Sequence, residues 1–162
     1  MQNIWISGSI NSGKSTVAQL LGPELRMAVI ELDTFSEYVR SWMPFEEYID
    51  LNYALVPGIT VLYNNLGISV IIVYPLDEKR YQALSSVLSQ FTVFTLDPTL
   101  EVALTNRGER KLTDWERSRI LHHYEIGIPF LAAAHRIETK NKNSDEVKDM
   151  IISYLNTLSN TQ

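Results

Sequence analysis

Apolar residues fall in short runs, separated by stretches where they recur every three or four positions. A run of this kind reads as a buried strand, because a strand covered on both faces needs no polar alternation. Five are present: Asn3 to Ser7, Met27 to Leu32, Ser69 to Tyr74, Thr92 to Leu96, and a short Arg136 to Thr139. Helices are expected between them. Thr16 to Leu21 has helical spacing and is expected to stop at Gly22-Pro23, while Pro57 with Gly58 predicts the opening of a helix that Gly67 closes. Asp77 precedes a Tyr81, Leu84, Leu88 stripe, and Thr113 with Glu116 has the spacing of a capping box. A last helix starts near Ser144 with Val147, Ile151, Tyr154, Leu155 and Leu158 on one side, and the SNTQ tail should fray. Alternating strands and helices make a parallel sheet covered on both faces, so the fold class is α/β.

A length of 162 residues suits a single domain, and 45% hydrophobic content is enough to bury a core. No apolar run approaches the ~20 residues of a membrane span, and the N-terminus lacks the pattern of a leader, so a soluble, cytoplasmic protein is expected. The absence of cysteine excludes disulfides, thiolate metal sites and a cysteine nucleophile. A net charge of -5 argues against a broad nucleic-acid surface and favours a small-molecule partner.

The strongest chemical signal is Gly8-Ser9-Ile10-Asn11-Ser12-Gly13-Lys14-Ser15, followed by Thr16, which fits G-x-x-x-x-G-K-[ST] between an apolar strand and an amphipathic helix. Gly8 and Gly13 allow successive backbone N–H groups to turn inward on a polyphosphate at a helix N-terminus. Lys14 would reach the β- and γ-phosphates, and Ser15 would ligate Mg²⁺.

In an open parallel sheet ligands gather at the carboxyl ends of the strands. The second ends at Leu32-Asp33-Thr34-Phe35, so Asp33 can orient an attacking hydroxyl, hold Mg²⁺ through water, or cap the next helix. The third runs into Pro75 without an acidic end, and Asp77 reads chiefly as a helix cap. The fourth ends at Asp97-Pro98 and leads to Asn106-Arg107-Gly108-Glu109-Arg110-Lys111, then Arg117 and Arg119. Arginines in this segment offer stacking on adenine and charge for a transferring phosphate, with Gly108 as a hinge; a solvated basic turn is the alternative. His122 and His123 read as solvated residues on a polar helix face. Lys140 to Asn143 is a loop at an adenine edge or a charged turn.

In order and spacing these features resemble the P-loop small-molecule kinases, the group that includes shikimate, gluconate, adenylylsulfate and nucleotide kinases and chloramphenicol phosphotransferase. The resemblance implies a three-layer P-loop NTPase fold across residues 1–162, with a five-stranded parallel sheet in the order 2-3-1-4-5. It also implies ATP with Mg²⁺ as donor, an acceptor-binding insert at about 34–57, and a short lid at about 107–114. By the same analogy Arg107 stacks on adenine, Arg110 contacts the transferring phosphate, and Asp33 serves the acceptor. Two departures stand out: the third strand lacks a glycine-rich turn, and no paired-acid D-x-D follows the second.

Other functions fit less well. A regulatory GTPase would need D-x-x-G where Pro75-Leu76-Asp77-Glu78 stands. A non-catalytic or regulatory ATP-binding protein, and a polynucleotide 5′-end kinase using Asp33 and Arg40, are the alternatives to a phosphotransferase acting on a small-molecule hydroxyl. The insert carries Phe35, Tyr38, Trp42, Phe45, Tyr48 and Tyr53 among several carboxylates, with few cations. Such walls suit a hydroxyl-bearing acceptor with a planar or apolar body better than a polyanion. The helical spacing of Phe35, Tyr38 and Trp42 equally fits a buried face, and Arg40 could instead take a carboxylate or phosphate.

Overall fold

The computed structural model describes residues 2–106 and 111–160. In chain order the elements are β1 (Asn3–Gly8), α1 (Lys14–Leu25), β2 (Ala28–Glu31), α2 (Leu32–Ser36), α3 (Phe45–Asn65), β3 (Val70–Val73), α4 (Glu78–Ala83), α5 (Ser85–Leu88), β4 (Phe91–Asp97), α6 (Leu100–Ala103), α7 (Asp114–Glu125), a 3-10 turn (Ile128–Phe130), β5 (His135–Glu138) and α8 (Ser144–Ser159). All strand pairs are parallel, in the order β2-β3-β1-β4-β5. All five apolar runs are strands, and the expected order holds.

Alternate residues of each strand feed opposite cores. Trp5, Ile30, Val70 and Ile72 face Tyr53, Val56 and Ile59 of α3, whereas Ile4, Ile6, Ile71, Val73, Phe94 and Leu96 face Val17, Ala18 and Leu21 of α1 and Val147 and Ile151 of α8. Buried polar groups on β1 are bonded: Asn3 Oδ1 accepts from Val70 N at 3.0 Å, Ser7 Oγ from Leu76 N at 2.8 Å, and Trp5 Nε1 donates to Tyr74 O at 2.8 Å.

Two expected helix boundaries are corrected. Pro57 and Gly58 do not open a helix; they lie inside α3. Its buried residues Tyr48, Asn52, Tyr53, Val56, Ile59 and Thr60 form one stripe that passes Pro57 without including it. A helical proline costs about 3 kcal/mol. Each fully buried large apolar side chain returns roughly 1.5–3. With Val56 fully buried and Tyr53 and Ile59 nearly so, packing outweighs the break. Likewise α1 continues past Gly22-Pro23 to Leu25 and closes at Arg26, in the left-handed conformation (φ 55°), whose N–H meets Gly22 O and Pro23 O. Gly67 (φ 77°) follows α3 as expected, and Thr113 and Asn143 form capping boxes on α7 and α8.

Gly22 is present for contact rather than termination. A Cβ there would stand 2.5 Å from Val29 Cγ2 on β2. Alanine would contribute up to about 1 kcal/mol in helix propensity, but overpacking of this kind costs about 1–3 kcal/mol. Gly22→Ala should therefore lower the denaturation midpoint at unchanged slope; a rise would mean that β2 yields at this contact.

Candidate functional site

The carboxyl ends of the strands share one edge of the sheet, with β1 between β3 and β4, and the Gly8–Ser15 loop leaves β1 there. Gly8 (φ 146°) is where the loop turns back onto β4: a Cβ would meet Ser12 Oγ at 2.6 Å and Leu96 O at 2.8 Å. Gly13 (φ 92°) caps α1, and open space surrounds the position a Cβ would take. Lys14 Nζ donates to Ser9 O at 2.9 Å, so its ammonium folds over the loop. Ser12 Oγ is buried without a hydrogen-bond partner. Asn11 holds φ 63° and its Nδ2 donates to Ala103 O (2.9 Å) and Thr105 O (3.0 Å), tying the loop to α6. Its side chain is thereby occupied, leaving the backbone for a ligand. Ser9 Oγ donates to Ile10 O, and Thr16 is exposed in the first turn of α1.

Beside the loop, Ser15 Oγ donates to Glu31 Oε2 at 2.7 Å, and Gln19 Nε2 to Glu31 Oε1 at 3.3 Å. Glu31 was missed in the sequence. Its signal was present: Glu31-Leu32-Asp33 is a pair of acids spaced by one residue, anchored by a fully buried Leu32 between them. No D-x-D follows the second strand, as expected; an E-x-D pair stands at its end instead. Asp33 lies inside α2 and caps nothing; its Oδ1 accepts from Tyr48 Oη at 3.0 Å. Burial holds the Tyr48 hydroxyl above its usual range, with the Asp33 charge adding to it, so it remains a donor.

Asp33 opens onto a cleft of about 380 Å³ between α3, the segment after β3, and α7. The aromatic side chains expected around an acceptor divide here. Phe45, Tyr48 and Tyr53 line the cleft; Phe35, Tyr38 and Trp42 do not, and are 53%, 88% and 70% exposed. The helical spacing of those three marks no buried face, because α2 ends at Ser36 and tight turns follow. The expectation of few cations is also corrected, since Arg40, Arg80 and Arg119 all line this space. Arg80 pairs with Asp50 at 2.5 Å over the Tyr53 ring. Asp77 caps α4, accepting from Arg80 N at 2.8 Å, as its position predicted.

A smaller cavity of about 170 Å³ lies where Ser12, Gly13 and Val17 meet Leu96, Val102, Val147 and the 139–144 loop. The Lys140 to Asn143 segment thus stands against the phosphate-type loop, with Asn141 at φ 63°.

No protein-family model matches this sequence, and no curated protein does. Solved structures do. A shikimate kinase from Aquifex aeolicus vf5 superposes with a TM-score of 0.71 at 17% identity, covering 98% of both chains. A sugar kinase from Janibacter sp. HTCC2649 gives 0.74 at 16% identity, over 96% of this chain and 95% of that one. A gluconokinase from Sinorhizobium meliloti 1021 gives 0.66 at 14% identity, over 99% and 94%. The fold is that of the P-loop small-molecule kinases.

On this P-loop kinase fold, the described part of the basic segment resolves into separate jobs. Arg117 is structural: Nη1 donates to Leu104 O (2.9 Å) and Nη2 to Asn106 Oδ1 (3.3 Å), while Asn106 Oδ1 also takes Leu112 N. It fastens the root of the expected lid, whose Arg107, Gly108 and Arg110 lie outside the described residues. Arg119 instead reaches the cleft. Asp97, buried at the end of β4, is held by Tyr124 Oη (2.9 Å), Arg136 and Thr99 N. It joins α6, α7 and β5 at the base of this region.

His122 is solvated, as expected, and His123 is not. His123 shares the buried face of α7 with Ile120, three positions earlier, and is 4% exposed. Burial lowers its pKa to about 3, helped by the charges of Lys14, Arg119 and His122. It is therefore neutral, and a hydrogen bond between Arg119 Nη2 and His123 Nε2 (3.4 Å) has the imidazole accepting.

A folded-state pKa below the ordinary 6.5 means that the unfolded chain takes the proton first as pH falls. His123 thus adds stability above about pH 6.5 that is lost progressively towards pH 3. Between those limits wild type should lose up to ~1.4 kcal/mol per pH unit more than His123→Gln. Denaturant melts of both proteins from pH 7 to 4 check this, and parallel curves would contradict it.

Proposed function

We propose that the protein is a phosphotransferase that moves the γ-phosphoryl group of ATP to a hydroxyl of a small molecule. The observation that carries this reading is the Ser15–Glu31 contact at the mouth of the loop, one residue from an Asp33 that faces the acceptor-sized cleft. The loop fits a polyphosphate: the path of its backbone depends on a missing Cβ at Gly8, and Ser12 Oγ is buried and unpartnered. Ser15 and Glu31, with Asp33 through water, would hold Mg²⁺, which supplies charge neutralisation across the β- and γ-phosphates.

Each residue then has a task. Backbone N–H groups from Ser9 to Thr16 take the phosphates, and Lys14 leaves the Ser9 carbonyl to lie along the β/γ oxygens. Asp33, held through Oδ1 by Tyr48, uses its other oxygen to orient the acceptor hydroxyl. That hydroxyl oxygen bonds to the γ-phosphorus as the bond to the ADP oxygen breaks, and its proton passes to Asp33. The transition state is loose, so positioning matters more than basicity and an ordinary carboxylate suffices. The cavity beside Val102 and the 139–144 loop fits adenine, with Val17 and Leu96 as apolar surface. Residues 34–57 form the acceptor wall through Arg40 and the first turns of α3. By the family resemblance residues 107–114 would serve as the lid, with adenine assigned to Arg107 and the moving phosphate to Arg110, both outside the described residues.

Lys14→Ala should reduce transfer by at least ~10²-fold, the scale of losing one preorganised electrostatic donor. Glu31→Gln should raise the Mg²⁺ concentration needed for half-maximal rate by ~10-fold or more, as loss of a metal-orienting carboxylate does. Asp33→Asn should lower kcat while calorimetric ATP affinity stays near wild type. An ADP-release assay over sugars, sugar acids, nucleosides and hydroxylated antibiotics reads all three. No acceptor-dependent ADP release across that panel, from protein that binds ATP, would overturn the phosphotransferase reading in favour of an ATP-binding module.

A further inference from the structure

Among the described residues nothing covers the outward face of α3. Val61 and Leu62 are each 59% exposed and Leu66, at the helix end, is 67% exposed, with Gly58 and Ala54 exposed one and two turns before Leu62. Leu51 and Leu55 continue the stripe half-buried. A surface helix ordinarily turns charged residues to water on its outer side. From Leu51 to Asn65 this one holds no Asp, Glu, Lys or Arg, in a chain with 20% charged residues. Val61, Leu62, Leu66 and Ile68 together leave roughly 400 Å² of mostly apolar surface uncovered, large enough to be an interaction site.

Gly58 adds an independent observation. It is helical, not left-handed, and open space surrounds the place its Cβ would take. Neither its backbone conformation nor a neighbour within the chain asks for glycine, in contrast to Gly8 and Gly22, and only proline is a poorer helix former. What a bare Cα provides on an exposed apolar face is the close approach of another backbone.

The stripe is also spaced evenly about Gly58. Leu55 and Val61 lie three positions to either side, Ala54 and Leu62 four, Leu51 and Asn65 seven. In an antiparallel pair related by a two-fold axis at Gly58, each residue meets the one at the same distance on the opposite side. Leu62 then enters the space over Ala54 and Val61 meets Leu55, and each meeting occurs twice. Large side chains set against small ones let two helices interlock. A face without charge also brings no like-charge repulsion to the pairing of two chains of net charge -5. The C-terminal half of α3 leads into the start of β3, so this seam lies towards the amino ends of the strands, away from the Gly8–Ser15 loop.

We propose that the protein forms a two-fold dimer through α3, with the two helices crossing antiparallel at Gly58. Two copies of the exposed patch, with the half-buried Leu51 and Leu55, bury roughly 1,000 Å² or more, the size a specific interface needs. This pairing is independent of the phosphotransferase reading.

The test is sedimentation velocity of the whole protein from ~1 to ~200 μM, a range that brackets micromolar dimers. The mass should pass from that of one chain to that of two. Leu62→Glu places like charges in the seam at a position exposed in the single chain; it should weaken association ~100-fold or more while circular dichroism stays that of wild type. Leu121→Glu, at a leucine of similar exposure on α7, should leave association unchanged. Gly58→Ala should raise the melting temperature of the single chain and yet weaken the dimer ~10-fold or more, because the methyl group suits the helix and crowds the crossing point. The mass of one chain at every concentration, a dimer that survives Leu62→Glu, or one that Leu121→Glu disrupts equally would overturn the inference. So would a Gly58→Ala protein that pairs as tightly as wild type or melts lower as a single chain.

Discussion

The site depends on where β1 ends. This strand is paired on both edges and buried on both faces, so it can neither shift register nor tilt without exposing Ile4, Trp5 or Ile6. Its pairing carries through to Gly8 opposite Leu96, and at that residue the chain must turn back against β4 with no room for a Cβ. Every later position in the loop follows from that turn. Asn11 is drawn to the α6 carbonyls, Gly13 caps α1, and Ser15 comes within hydrogen-bond reach of Glu31 at the end of β2. A rigid scaffold thus sets the course of a short loop.

A second organising contact lies further out, between α3 and α7. Neither helix is long and apolar enough to cross a membrane, and they meet through aromatic rings and guanidiniums rather than an aliphatic seam. Such contacts hold polar groups at fixed places while contributing less cohesion than a core, of order 1 kcal/mol each where solvent reaches them. The cleft is accordingly built from parts that are individually weak and jointly directional. Its base is made firm by other means: Asp97 gathers Tyr124, Arg136 and Thr99 around a buried carboxylate, and Arg117 fastens the chain before and after residues 107–110.

The sheet was legible in the sequence because parallel strands buried on both faces leave uninterrupted apolar runs, and all five appear within a residue or two of where those runs lie. The loop was legible for a different reason: its glycines and lysine match a fixed pattern position by position. What escaped was whatever tertiary packing decides. Pro57 reads as a helix start only if propensity rules, and a buried stripe from Tyr48 to Thr60 overrules it. Phe35, Tyr38 and Trp42 have the spacing of a helix face, yet turns after Ser36 leave them in solvent. Glu31 was hidden as the last residue of an apolar strand, where a single acid looks like a solvent-facing edge until Ser15 is brought beside it.

His123 shows why the cleft was the harder half of the candidate site to read. Two histidines in sequence on a helix with little apolar character look alike, and only three-residue spacing from Ile120 separates the buried one from its neighbour. Its titration is lowered first by that burial and then by the charges of Lys14 and Arg119, which lie far apart in the sequence. The proposed phosphate loop is a local sequence, continuous from Gly8 to Thr16, whereas the cleft beside it is assembled from α2, α3, the loop after β3, and α7. A local motif carries its chemistry in its own order of residues. A cleft built from four elements carries its chemistry in which charges are left over after the helix caps and ion pairs have taken theirs, and that remainder exists only in the folded chain.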